Sequence, residues 1–154
     1  MISRLPRTVE EALANAAARG RVKELIYAGE VTPEEAHFLL EQGEAKVVDV
    51  RARHEHEFIG RIPGSRLIEW KFWPSGEANP HFLDDLRTHY KPDDKLLFLC
   101  RSGVRSHAAA RVAAEAGFRH AYNILEGFEG ELDAHAQRGN VGGWRKAGLP
   151  WIQS

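Results

Sequence analysis

The chain has 154 residues, 43% of them hydrophobic and 28% charged, with a formal net charge of -1. That length and balance fit one globular domain with a real core, and the near-zero charge supplies no basic excess to hold nucleic acid or acidic lipid. The longest strongly apolar stretch, residues 96–100, is far too short to span a bilayer, and residues 1–6 start no apolar leader, so the chain reads as cytoplasmic, with no membrane and no nucleic-acid partner.

Thr8-Val9-Glu10-Glu11 has the pattern of a capping box. Val9, Leu13, Ala16 and Ala17 follow on one helical face, and Gly20 is the expected stop. This helix is expected to form an N-terminal extension over residues 1–30, ahead of an α/β domain over residues 31–154. Its short Ala-rich stripe suits either a cover for the domain's own sheet or a homodimer contact. Thr32-Pro33-Glu34-Glu35 repeats the start signal, with Pro at the first helical position. Ala36, Leu39 and Leu40 form the expected buried stripe, and Gly43 ends it.

Residues 46–50 read as a short buried strand. A polar segment follows over 51–60, then a turn at Ile62-Pro63-Gly64 and a weaker strand candidate over 65–70. Asn79-Pro80 opens a helix predicted to reach residue 90, with Leu83 and Leu86 inward. Residues 95–100 form a near-continuous apolar run, the pattern of a parallel strand covered on both faces. Residues 106–116 are a predicted helix whose Ala109, Val112, Ala113 and Ala116 stripe is small enough to lie close on a sheet, and Gly117 stops it. Residues 120–124 read as another strand, and residues 140–143 as a Gly-rich loop before the tail. The alternation of strands and helices predicts an α/β fold, a mainly parallel sheet flanked by helices.

Cys100 is the only cysteine, which excludes an intramolecular disulfide and a thiolate-rich zinc site. It falls where the buried strand ends, and Arg101-Ser102-Gly103-Val104-Arg105 leads from it into a helix. In parallel α/β sheets, ligands bind at the carboxyl ends of strands. A short loop curling into a helix aims backbone N–H groups at one point, and the helix adds partial positive charge. Arg101 and Arg105 are expected to add two full charges. All of these favour thiolate, the nucleophilic form of cysteine. The same donors suit an anionic persulfide sulfur, and guanidinium groups suit an oxyanion such as the sulfonate end of thiosulfate. A lone cysteine ending a core strand is more often structural. Gly103 in a tight loop and two arginines within five positions turn the reading toward chemistry.

Cys100-Arg101-Ser102-Gly103-Val104-Arg105-Ser106 resembles the active-site loop of single-domain rhodaneses. Val48-Asp49-Val50-Arg51, followed by Glu57-Phe58 and Gly60-Arg61-Ile62-Pro63-Gly64-Ser65, resembles the family's upstream signature, which more often has His in place of Arg61 and Ala in place of Ser65. Asn123-Ile124-Leu125-Glu126-Gly127 resembles the segment after the catalytic helix, and residues 144–150 resemble the C-terminal stretch. The resemblance spans roughly residues 31–150 and leaves the N-terminal helix outside. It implies a rhodanese-like fold, a catalytic persulfide on Cys100, and substrate contacts from Arg101, Ser102, Gly103, Val104 and Arg105.

The implied activity is that of a thiosulfate sulfurtransferase. A small-molecule donor gives a sulfane sulfur to Cys100, and cyanide or an external thiol, a redox protein's included, takes it. That chemistry requires no metal or organic cofactor. Two alternatives stand beside it. One is a non-catalytic rhodanese-like binding module. The other is a phosphatase or arsenate reductase on the same fold, whose loops place five residues between Cys and Arg where this chain places four.

Other constellations read as structural. Asp49 and Arg51 suggest a strand-end ion pair of the ordinary weak kind. His54-Glu55-His56-Glu57 reads as a solvated polar segment, because its spacing matches no helical His pair. His107 reads as an exposed helix residue. Trp70, Trp73, Trp144 and Trp151 read as packing aromatics.

Overall fold

A computed structural model describes residues 6–153; residues 1–5, where the sequence predicts no apolar leader, and residue 154 lie outside it. The strands are β1 Gly29–Val31, β2 Lys46–Asp49, β3 Arg66–Leu67, β4 Lys95–Leu99 and β5 His120–Ile124. They form one sheet in the order β1-β5-β4-β2-β3, with every pairing parallel. The helices are α1 Val9–Val22, α2 Pro33–Glu41, α3 Phe82–His89 and α4 Val104–Glu115. Among the described residues no helix is long and apolar enough to cross a membrane.

The central strand β4 explains the layering. Side chains alternate across a sheet with a period of two. Leu97 and Leu99 enter one core with Ala12 and Ala16 of α1 and Ala36 and Leu39 of α2. Leu96, Phe98 and then Cys100 enter the other core, with Leu86 of α3 and Ala109, Ala110 and Ala113 of α4. Helices therefore cover both faces, and β4 is buried throughout as its apolar run predicts. The same alternation puts Cys100 on the α4 side.

Helix ends follow local chemistry. Thr32 and Glu35 form a reciprocal capping box, with Glu35 N–H donating to Thr32 Oγ1 at 3.1 Å and Thr32 N–H donating to Glu35 Oε1 at 2.9 Å. Gly43 closes α2 with a φ of 72°, and Glu44 N–H returns to the Leu39 carbonyl at 3.0 Å. Helix α1 differs from expectation at its C-terminal end. It continues past Gly20 to Val22, and its buried face is Ala12, Ala16 and Gly20, with Ala17 only half-buried. Gly20 is a close-approach residue: a Cβ there would lie 3.2 Å from Gly29 Cα. At Gly29 a Cβ would lie 2.5 Å from the Ala16 carbonyl carbon. Helix α1 thus crosses β1 backbone to backbone, and its small-residue stripe is spent on the chain's own sheet. Arg19 of α1 adds a forked contact to Glu35 of α2 at 2.6 and 3.1 Å.

Other boundaries move for identifiable reasons. Asn79 accepts from His81 N–H at 2.9 Å, so Asn79-Pro80 makes a turn and α3 starts only at Phe82. The weak strand candidate contracts to two edge residues, although Ile68 and Trp70 still donate to the Asp49 and Val50 carbonyls at 2.9 and 3.1 Å. Helix α4 begins at Val104, directly after the cysteine loop.

The largest departure is the segment after β2. It is not a solvated stretch but contains a π-helix, Glu55–Ile59, closed by Gly60 N–H donating to the Glu55 carbonyl at 3.1 Å. Asp49 and Arg51 are not an ordinary weak pair, because both side chains are fully buried. Arg51 donates from Nε and Nη2 to the Asp49 carboxylate at 3.0 and 2.7 Å, and from Nη2 to the Gly60 carbonyl at 2.6 Å. Its guanidinium lies 4.5 Å from the Phe128 ring centroid. His56 donates from Nδ1 to Asp49 Oδ2 at 2.9 Å. Burial alone pushes the Asp49 carboxyl up, but the hydrogen bonds from His56 and Arg51 and the Arg51 charge hold it below its usual range.

Two expectations follow. Gly29→Ala should destabilise the fold by about 1–3 kcal/mol or more, because the atom it meets is backbone and α1 must lift from β1; urea unfolding at neutral pH measures this, and an unchanged midpoint would refute the close crossing. Because Asp49 titrates lower in the folded than in the unfolded chain, its stabilisation is complete above about pH 4 and is lost as the pH falls through the depressed folded value. Denaturation midpoints taken from pH 7 to pH 2 should therefore fall on the acid side, and the fall should be shallower in Asp49→Asn.

Candidate active site

Cys100 follows β4, which lies between β5 and β2, so it occupies the carboxyl edge of the sheet at its centre. It is 1% exposed. Gly103 turns the chain with a φ of 114°, and its N–H donates to Cys100 Sγ at 3.0 Å. A Cβ at Gly103 would meet nothing closer than 3.9 Å, so the demand for glycine there is conformational rather than steric. Helix α4 then starts with its N-terminal amides beside the sulfur, the arrangement that favours an anion.

A closed ring of hydrogen bonds holds this loop. Ser106 Oγ lies 3.2 Å from Cys100 Sγ and donates to Asn123 Oδ1 at 2.6 Å. Asn123 Nδ2 donates to the Gly103 carbonyl at 3.2 Å. Ser106 and Asn123 are both buried, and neither is among the residues the sequence nominates. Each sits inside a recognised motif, yet no spacing argument couples positions 17 apart on a helix and a strand.

A strap formed by residues 126–130 supports the loop from behind. Phe128 N–H donates to the Cys100 carbonyl at 2.9 Å, and the N–H groups of Glu129 and Gly130 donate to the Arg101 carbonyl at 2.9 and 3.1 Å. Gly127 permits the approach, since a Cβ there would lie 2.5 Å from the Arg101 carbonyl carbon.

The two loop arginines do not behave alike. Arg101 is exposed and has no hydrogen-bond or ion-pair partner among the described residues. Arg105 is half-buried and donates from Nη1 and Nη2 to the two carboxylate oxygens of Glu55 at 2.7 and 2.9 Å. One of the two expected charges is therefore balanced within the site. Burial pushes the Glu55 carboxyl up, but the Arg105 hydrogen bonds and charge hold it below the usual range. Arg105 is raised, first by its hydrogen bond to Glu55.

The nominated residues divide between two clefts. Arg101 and Arg105 line one of about 490 Å3, together with Glu55, His54, Trp73 and Leu132. Ser102, Gly103 and Val104 line another of about 300 Å3, with His107 and Asn123. A separate cleft of about 560 Å3 beside Lys46, Arg66 and Tyr90 contains none of the loop and has no link to its chemistry. His107 is exposed as expected and is hydrogen-bonded to Tyr27 Oη at 2.6 Å. Trp73 reaches the first cleft, with the His54 ring 4.5 Å away, whereas Trp70 packs on Phe82 and Trp144 is core. The polar run beside it splits up: Glu55 holds Arg105, His56 holds Asp49, and Glu57 accepts from Arg53. Among the described residues no group of three or more His, Cys, Asp or Glu side chains is arranged to hold a metal ion. The arrangement presents one sulfur to amide and hydroxyl groups at a helix N-terminus, which equips it to act as a nucleophile.

Comparison with known proteins agrees with this geometry. The model of the rhodanese-like domain family matches residues 32–133. The crystal structure of Rv0390 from M. tuberculosis superposes with a TM-score of 0.73 at 44% sequence identity, covering 83% of this chain and 99% of that one. The uncharacterized protein RP600 of Rickettsia prowazekii is 34% identical over 75% of this chain and 89% of its own length. The thiosulfate sulfurtransferase GlpE of Actinobacillus succinogenes is 27% identical over 79% of this chain and 87% of its own. With its parallel five-stranded sheet and its cysteine loop at the head of α4, the chain belongs to the rhodanese-like domain family.

Proposed function

We propose that the protein is a sulfurtransferase that carries sulfane sulfur as a persulfide on Cys100. The observation that carries this reading is the Gly103 N–H pointing at Cys100 Sγ from 3.0 Å, in a loop that opens directly into α4. A lone sulfur held by converging donors suits a small anionic sulfur adduct. The activity printed in the name of the GlpE relative is of the same class.

The Cys100 thiolate attacks the outer sulfur of thiosulfate or a similar donor. The donor's S–S bond breaks and sulfite leaves with the electron pair. The persulfide then rests against the loop amides. Cyanide or an external thiolate, that of a redox protein included, attacks the outer sulfur and regenerates the Cys100 thiolate. No metal or organic cofactor enters any step. A chemistry that needs a free thiolate suits the reducing cytoplasm.

Cys100→Ser should abolish thiocyanate formation from thiosulfate and cyanide, and intact-mass measurement after thiosulfate treatment should show one added sulfur in the parent and none in the variant. Transfer that survives in the variant would sink the mechanism. Inserting one Gly between Gly103 and Val104 should cost about a hundredfold or more in transfer, since a displacement of about 1 Å at the reacting centre has that effect. Circular dichroism must establish that the insertion variant folds. A folded variant as fast as the parent would remove loop length as the feature that separates sulfur transfer from phosphate chemistry.

A further inference from the structure

We propose that Glu55 makes the active-site cleft selective for an organic persulfide bearing a carboxylate over thiosulfate; this deepens the sulfurtransferase reading and rests on it. Both terminal nitrogens of Arg105 are committed to Glu55, at 2.7 and 2.9 Å. Glu55 is no mobile surface group. It is buried, it lies in the π-helix, and its Oε1 also accepts from Ala52 N–H at 3.2 Å. An anion arriving beside Arg105 thus meets a guanidinium whose fork is already filled and a carboxylate of like charge.

Thiosulfate carries its charged oxygens one bond from the sulfur that Cys100 must attack. Those oxygens have to sit at the loop, where the Glu55 carboxylate opposes them. The cleft is also far larger than a five-atom ion requires. At about 490 Å3 it has the size of sites that hold drug-sized organic molecules. Trp73, Ile59 and Leu132 give it apolar wall, and exposed Arg101 is its unpaired cation among the described residues. A hydropersulfide R–S–SH fits these features. Its sulfane end carries no oxyanion, its organic group meets the apolar wall, and a carboxylate several bonds away meets Arg101.

The transfer balances without an added oxidant or reductant. The Cys100 thiolate attacks the terminal sulfur of R–S–SH and the donor's S–S bond breaks. R–S⁻ leaves with the electron pair, and the hydrogen stays on the transferred sulfur, giving Cys100–S–SH. The step runs on the same sulfur and the same loop as the thiosulfate reaction, so only the donor differs.

The test measures kcat/KM for sulfur transfer to cyanide with two donors, thiosulfate and N-acetylcysteine persulfide, after subtracting the Cys100→Ser background. The parent should favour the persulfide by about tenfold or more, the scale of one charge-assisted hydrogen bond gained or lost. Glu55→Gln keeps the size of the side chain and an acceptor for Ala52 N–H but removes the charge. It should shift the donor ratio toward thiosulfate by about tenfold or more. The persulfide of N-acetylcysteamine, which lacks the carboxylate, should be a poorer donor for the parent than N-acetylcysteine persulfide. A parent that prefers thiosulfate overturns the proposal, and so does an unchanged ratio in folded Glu55→Gln. If that variant fails to fold, the two parent preferences decide alone. A parent that transfers sulfur from none of the three donors defeats the sulfurtransferase reading itself, a result distinct from a mere reversal of preference.

Discussion

The buried pair of Asp49 and Arg51 is the interaction on which the site's geometry rests. Arg51 gathers three separate pieces of chain: the end of β2 through Asp49, the exit of the π-helix through the Gly60 carbonyl, and the segment after β5 through the Phe128 ring. Phe128 and its neighbours in turn hold the carbonyls of Cys100 and Arg101. Desolvating two charges is expensive, so such a pair is weak evidence for net stability. Its contribution here is positional. It offers bidentate geometry in a site with no water competition, and removal of either partner leaves an uncompensated buried charge, a loss of about 3–5 kcal/mol. His56 adds a third group to the same carboxylate.

From that anchor the chemistry follows in two directions. Toward α4, backbone and amide groups converge on Cys100 Sγ: Gly103 by its N–H, Ser106 by its hydroxyl, Asn123 by holding both. Toward the open cleft, the π-helix brings Glu55 to Arg105 and so removes one charge from the set that faces a ligand. A π-turn is costly in a regular helix and recurs at functional positions. Here it seats His56 on the buried pair while Glu55 faces the loop. The loop's reactivity and the cleft's selectivity are thus set by different elements, α4 for the first and the π-helix for the second.

The strap after β5 shows how tightly these elements are coupled. Gly127 and Gly130 both have positive φ, 65° and 77°, and both lie against backbone that a Cβ would strike. The strap can therefore press its N–H groups onto the cysteine loop without a side chain intervening. Glu126, itself at a φ of 68°, accepts from Gly143 N–H at 2.8 Å and fastens the far end of the strap to the loop before the tail. Trp144, the first residue of that tail, is fully buried and closes the core beneath.

What the sequence determines by itself is whatever depends on neighbours along the chain. The Thr32–Glu35 box, the Gly43 stop and the uninterrupted apolar run of β4 are local patterns, and each appears in the structure as read. The place of Cys100 between a covered strand and a helix start is likewise local, because the strand's period and the glycine at 103 fix it. Tertiary structure alone decides the partners. Glu55 and Arg105 are 50 positions apart and Ser106 and Asn123 are 17 apart, and nothing in either segment announces the other. Asp49 and Arg51 are neighbours in sequence, but only the folding of the π-helix and the Phe128 segment over them turns an ordinary pair into a buried one. The stop expected at Gly20 fails for the same reason: in sequence a glycine marks freedom to turn, whereas here it marks the absence of a side chain where β1 crosses. Burial and long-range pairing are properties of the assembled layers, and they come into being only when the sheet brings its loops to one edge.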